Sequence, residues 1–199
     1  MVKGYSVLAD LELLARSSSL WELQVRGSSF EGFIFLGRKE VLAAYLYFDG
    51  ERLAGDAALL FLAENSSKFT LGLGRKRRFE PQRNVTPFGV KLFNRRTGAN
   101  LPVSGVETRE LSLVEKLLSL LPYRELFLFV RAGRTLFSTL TADRVGKLLS
   151  LLEELPAGTG HIDFSRKVLS FNHPAGELLL LSRKGFEELE LCRDQLREV

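Results

Sequence analysis

The chain has 199 residues, 45% of them hydrophobic and 26% charged, with a formal net charge of +4, a balance that places it among globular proteins and allows one domain or two small ones. Fifteen Phe and abundant Leu, against one Trp and one Met, predict a core carried by Leu and Phe packing. No run reaches the roughly 18–20 apolar residues of a membrane span, the start lacks a signal-peptide pattern, and the lone Cys192 rules out an internal disulfide and cysteine metal clusters, so a cytoplasmic location is expected.

Val7, Leu8, Leu11, Leu14 and Ala15 recur at helical spacing until Ser17-Ser18-Ser19, which predicts a first helix. Residues 20–25 alternate large apolar with polar side chains and read as a half-buried strand, followed by a turn at Gly27-Ser28-Ser29. Residues 30–36 and 40–48 suit two antiparallel strands joined at Gly37-Arg38-Lys39. After Asp49-Gly50 the period changes, with Leu53, Ala57, Leu60 and Phe61 on one helical face, and residues 68–73 return to extended structure.

The second half repeats this order. Leu113, Val114, Leu117, Leu118 and Leu121 mark a helix stopped by Pro122. Residues 126–130 and 135–140 form a hairpin around Ala132-Gly133. Thr141 caps a helix with the stripe Val145, Leu148, Leu149, Leu152 and Leu155, which ends near Pro156-Ala157-Gly158, and Ile162 with Phe164 starts a further strand. Residues 167–171 and 177–182 make a hairpin across Asn172-His173-Pro174-Ala175-Gly176, and Phe186, Leu189, Cys192, Leu196 and Val199 stripe a terminal helix.

The expected fold class is therefore α+β, with mainly antiparallel sheet in two αββαβ units, 1–74 and 109–199, the second extended by a terminal hairpin and helix. Either the halves are an internal duplication, or they are unrelated parts of one α+β domain. Residues 75–108, rich in Pro, Gly and Asn turn signals, are the expected connection.

The familiar catalytic constellations are missing from the sequence. His161 and His173 have no partners at metal-binding spacing. His161 lies two residues from Asp163, on one face of an expected strand, where a surface pair is the simpler reading than an acid–base couple. His173 reads as a turn residue, and Cys192 as a small buried hydrophobe on its helix stripe. Gly32-Phe33-Ile34-Phe35-Leu36-Gly37-Arg38-Lys39 has the glycine spacing of a phosphate-binding loop, but its filling belongs in a strand and Lys-Ser/Thr is absent. No catalytic, cofactor or metal residues are assigned.

The one polarised region is Arg75 to Arg96. Arg75, Lys76, Arg77, Arg78, Arg83, Lys91, Arg95 and Arg96 stand against Glu80 alone, so this segment carries +7 in a chain of net +4. Interleaved with Phe79, Phe88 and Phe93, these side chains suit nucleic acid, a nucleotide phosphate or an acidic protein. A solvated connection pinned to the core by its Phe residues would carry the same composition.

The first third resembles the bacterial PatA-type N-terminal domain. The resemblance rests on Leu11-Glu12-Leu13-Leu14-Ala15, Trp21-Glu22-Leu23-Gln24-Val25, Gly32-Phe33-Ile34-Phe35, Val41-Leu42-Ala43-Ala44-Tyr45, Gly55-Asp56-Ala57-Ala58-Leu59 and Phe69-Thr70-Leu71. It implies a non-catalytic protein-interaction or regulatory module of bacterial signalling or motility. A protein partner is expected, nucleic acid or an anionic nucleotide through the basic segment is the alternative, and sheet edges and the last helix leave a homodimer open.

Overall fold

The computed structural model describes residues 7–72, 74–173 and 175–192, apart from the side chain of Leu152. It is an α+β protein with two antiparallel sheets, divided into a unit ending at Gly105 and a unit beginning at Val106. No helix among the described residues is long and apolar enough to cross a membrane.

Unit 1 runs α1 (Val7–Ala15), β1 (Trp21–Gly27), β2 (Phe30–Gly37), β3 (Glu40–Phe48), β4 (Glu51–Ala54), α2 (Gly55–Glu64), β5 (Phe69–Leu71), β6 (Arg75–Lys76) and α3 (Pro87–Thr97). Its sheet order is β4-β3-β2-β1-β5, with β6 also paired to β1. The inner face supplies Leu23, Val25, Ile34, Leu36, Leu46 and Leu53, all buried. Every residue of α2 from Gly55 to Ala63 is buried, which follows from a helix apolar on all sides packed against β3, β4 and α3 together. Phe61 of α2 meets Phe30 edge-on at 5.0 Å and stacks on Phe48 at 5.1 Å between centroids, fixing the helix over the sheet.

Two expectations are corrected here. Leu53 lies in strand β4 rather than in the helix, because Asp49 (φ 49°) and Gly50 (φ 76°) form a two-residue hairpin turn that extends the sheet instead of ending it. The segment expected as a connection, 75–108, is mostly part of unit 1: residues 75–76 form β6, and 87–97 form α3 with Phe88, Val90, Leu92 and Phe93 buried. The unit boundary falls at Gly105/Val106. Helix α3 has complete end signals. The Thr86 Oγ1 accepts from the Gly89 N–H at 3.1 Å, Pro87 opens the first turn, and Gly98 closes the helix at φ 75°.

Two polar residues fasten the inserted segment. Asp56 is fully buried and accepts from the Thr86 N–H at 2.9 Å and from the Thr86 hydroxyl at 2.7 Å, so a carboxylate on α2 holds the start of α3. Asn84, also buried, accepts from the Ala44 N–H at 3.1 Å, donates its side-chain amide to the Ala44 carbonyl at 3.4 Å, and donates its backbone N–H to the Leu42 carbonyl at 3.2 Å. The β2–β3 turn is unusual in another way. Arg38 (φ 53°) and Lys39 (φ 65°) both adopt the left-handed region without a glycine, at a cost of about 1–2 kcal/mol each.

Unit 2 runs α4 (Thr108–Leu120), β7 (Leu126–Arg131), β8 (Arg134–Ser138), α5 (Ala142–Glu154), β9 (Gly158–Phe164), β10 (Lys167–His173), β11 (Glu177–Ser182) and α6 (Arg183–Leu191), with sheet order β8-β7-β11-β10-β9. One face, Leu128, Val130, Leu169, Phe171, Leu178 and Leu180, packs with Val145, Leu148 and Leu149 of α5. The alternate positions Phe129, Val168, Leu179 and Leu181 are buried as well, on the side of the sheet where α4 and α6 pack. Leu196 and Val199, expected on the last helix stripe, and Leu73 and Pro174 lie outside the described residues.

The units match each other in the order of their sheets, although among the described residues unit 1 has nine elements and unit 2 eight. Each opens with a helix and a hairpin whose first strand, β1 or β7, sits between its hairpin partner and a strand from after the second helix, β5 or β11. Each also closes with a helix, as an internal duplication would leave them. They differ from a bare αββαβ order in carrying four strands before α2 and three after α5.

Lys167 in β10 has its Nζ 3.9 Å from the Phe127 ring centroid. Burial, and then the charge of Arg144, lower its pKa from the ordinary 10.5. The unfolded chain therefore holds this proton more tightly than the folded one, and stability rises as pH climbs from the folded pKa towards 10.5. Lys167→Met should remove that rise and should not reduce stability at neutral pH. Urea unfolding followed by circular dichroism, for both proteins from about pH 8 upward, checks this.

Candidate functional site

The eight basic residues do not form one track. Arg75 and Lys76 lie in β6 opposite Glu22 and Trp21 of β1, with the Lys76 Nζ 5.4 Å from the Trp21 ring centroid. Arg77 pairs with Glu22, and its guanidinium lies 5.8 Å from the Phe35 ring centroid. Arg83 binds Glu80 at 2.9 Å and also Glu40, while Arg38 joins Glu80 at 3.1 Å. Burial would lower the Arg83 pKa, but the hydrogen bonds that it donates to these two glutamates, together with their charges, raise it above its ordinary value, so the group stays charged. Arg96 pairs with Glu64 at 3.3 Å, Arg95 is exposed in the last turn of α3, and Lys91 faces a cleft beside α3. Arg78 is exposed in the segment after β6, next to Phe79, which is 86% exposed.

The same geometry brings forward residues that the sequence reading did not single out. The outer face of the unit 1 sheet, opposite α2, presents Phe33 and Phe35 from β2 and Tyr45 and Tyr47 from β3. Phe33 and Tyr45 are directly opposed, and Tyr47 opposes Arg52 of β4. Phe35 meets Tyr45 edge-on at 6.2 Å, and the Arg52 guanidinium lies 4.7 Å from the Tyr45 centroid and 5.9 Å from that of Tyr47. Tyr47 is 45% exposed, while the other three rings are partly exposed. An antiparallel sheet with helices on one side usually turns polar residues outward. Here that face is an aromatic ladder with Arg52 and Arg77 stacked on it. The signal was present in the sequence: residues 33–36 and 41–48 lack the polar alternation of a strand with one wet face.

His161 and Asp163 do meet, with 3.8 Å between Nε2 and Oδ2, but both are 52% exposed, and Asp163 also binds Arg183 at 3.2 Å. The His161 ring lies beside Phe186 at 5.2 Å. His173 is the last residue of β10 rather than part of the turn. Cys192 caps α6 and is half-buried, not fully buried as expected, because the helix stripe reaches the surface there. Among the described residues, no group of three or more His, Cys, Asp or Glu side chains is placed to hold a metal ion. No family model, curated protein or solved structure matches this chain.

Proposed function

We propose that the chain is a non-catalytic interaction or regulatory module of a bacterial cytoplasmic signalling or motility system, as its resemblance to PatA-type N-terminal domains suggests. Unit 1 engages a protein partner through the outer face of its sheet. The observation that carries this reading is the Phe33, Phe35, Tyr45 and Tyr47 ladder with Arg52 laid over two of its rings. Aromatic and arginine side chains dominate the energetics of protein interfaces: rings bury large areas at little cost in rotamer freedom, and arginine adds a planar group that stacks and donates several hydrogen bonds at once. A contiguous aromatic patch facing outward is otherwise a liability.

Binding of nucleic acid or nucleotide phosphate through the basic segment is the alternative, but the pairing of Arg77, Arg83 and Arg96 with glutamates leaves no continuous row of cations to follow a backbone. The two readings separate in one experiment. A photo-crosslinking phenylalanine analogue at position 47 should trap a discrete protein in native extract, and Arg52→Glu should abolish the adduct. The same analogue in place of the exposed Glu187 on α6 should trap none. Equal adducts at both positions would sink the proposal, and RNA in place of protein at position 47 would transfer it to the alternative.

A further inference from the structure

Three cations from distant parts of unit 1 meet at one cleft. Arg16 follows α1, Lys39 is in the β2–β3 turn and Lys91 is in α3; with Asn94, Asn100 and Pro102 they line a depression of about 530 Å³. No Asp or Glu stands among the described residues lining it. Only Lys91 belongs to the basic segment of the sequence.

The rim is preformed. Asn94 donates to the Leu101 carbonyl at 2.9 Å and accepts from its N–H at 3.0 Å. The Asn100 N–H donates to Glu12 at 2.8 Å, while Arg16 donates to the Asn100 carbonyl at 3.3 Å, so the segment after α3 is clamped to α1.

Two features single this cleft out. Lys39 sits in a turn where both residues have positive φ and neither is glycine, whereas the corresponding turns at 49–50 and 132–133 place Gly second. Backbone strain kept where a neutral glycine would relieve it marks a side chain in use. Among the described residues, moreover, neither Lys39 nor Lys91 has an ion pair, although most arginines nearby do. Like charges gathered without neutralisation repel, and an anion between them removes that repulsion. A second hollow of about 360 Å³ shares Lys39, Pro102 and Val103; Val41, Val85, Pro87 and Val90 line it as well, beside Arg38, Glu40 and Arg83, whose charges are already paired, so an apolar strip adjoins the cationic end. Clefts of a few hundred Å³ with this division hold small molecules.

We propose that Arg16, Lys39 and Lys91 bind the phosphate end of a small phosphorylated molecule whose body lies along Pro102 and Val103. The site is separate from the aromatic sheet face and stands or falls without it. Inorganic pyrophosphate and ATP are the probes, titrated calorimetrically into the full chain. Both should compete for one site, ATP binding more tightly because its body covers the apolar wall. Lys39→Ala with Lys91→Ala should weaken both by about tenfold or more, while Arg75→Ala with Arg78→Ala, two cations elsewhere that have no ion pair among the described residues, should change affinity by less than roughly twofold. Lys39→Gly should lose affinity while the protein melts at a higher temperature than wild type, which separates lost binding from lost folding. No binding of either probe at about 1 mM, or equal weakening in the two double variants, would overturn the site. ATP binding no more tightly than pyrophosphate would overturn the placement of the body.

Discussion

Replacing Phe93 with alanine should destabilise unit 1 by about 3–5 kcal/mol. The side chain is fully buried on α3, and truncating a ring there removes its transfer free energy and leaves a cavity that α2 and α3, already locked by their end contacts, cannot collapse to fill. The only tryptophan, Trp21, lies in β1 of this unit, so its fluorescence reports unit 1 directly. With a denaturant dependence of roughly 2 kcal/mol/M, the urea midpoint should fall by about 2 M. A loss below about 1 kcal/mol would mean that α3 lies on the unit without belonging to its core.

The second large effect centres on Asp56 and Gly89. Asp56→Ala leaves the Thr86 N–H and hydroxyl without their buried acceptor, next to the positive end of the α3 dipole, and should cost about 2–4 kcal/mol. Gly89→Ala should cost a comparable amount, although alanine is the better helix former by nearly 1 kcal/mol. A Cβ at position 89 would stand 2.0 Å from the Asp56 Oδ1 and 2.4 Å from its Cγ, so either the helix or the carboxylate must move. These two costs share one cause and should not add. In the Asp56→Ala background the two nearest atoms are gone and only the Cβ of residue 56, at 3.0 Å, remains close, so Gly89→Ala should lose most of its penalty. The cycle, measured by urea unfolding of the four proteins, would contradict the pinning of α3 by α2 if the two substitutions proved additive.

These predictions concern a part of the chain where the sequence was hardest to read. The meander β1-β2-β3 was visible because residues 20–25 alternate and turn residues punctuate the apolar runs. Unit 2 was visible because its leucine stripes keep a helical period between Gly and Pro breaks. Strand β4 was obscured because Asp49-Gly50 precedes both a four-residue strand and a long apolar helix, and Leu53 fits either pattern until the hairpin pairing is known. Helix α3 was obscured by its charge. Lys91, Arg95 and Arg96 suggested a solvated link, yet Thr86-Pro87 at one end and Gly98 at the other are ordinary helix boundaries, and Phe88, Leu92 and Phe93 recur at helical spacing.

The candidate sites divide in the same way. The aromatic face could be anticipated in part, since residues 33 and 35, and 45 and 47, must share a side of their strands. Which side remained uncovered depended on where α2 packed. The meeting of Arg16, Lys39 and Lys91 had no local signature, because those residues come together only when α1, the β2–β3 turn and α3 are assembled. Charge counting along the chain pointed instead to arginines that the fold spends on Glu22, Glu40, Glu64 and Glu80.

Asn84 has a further effect on how the molecule behaves in company. Strand β3 outruns β4, which pairs only with residues 45–48, so its earlier residues would present unsatisfied backbone groups to any neighbour. The carboxamide and main chain of Asn84 occupy those groups at Leu42 and Ala44, imitating a missing strand with one residue. Open borders of this kind are where sheets from separate molecules fuse and polymerise, and many proteins blunt them with lysine or proline. Here an internal amide closes that border, which keeps unit 1 from growing by lateral addition along this stretch of β3.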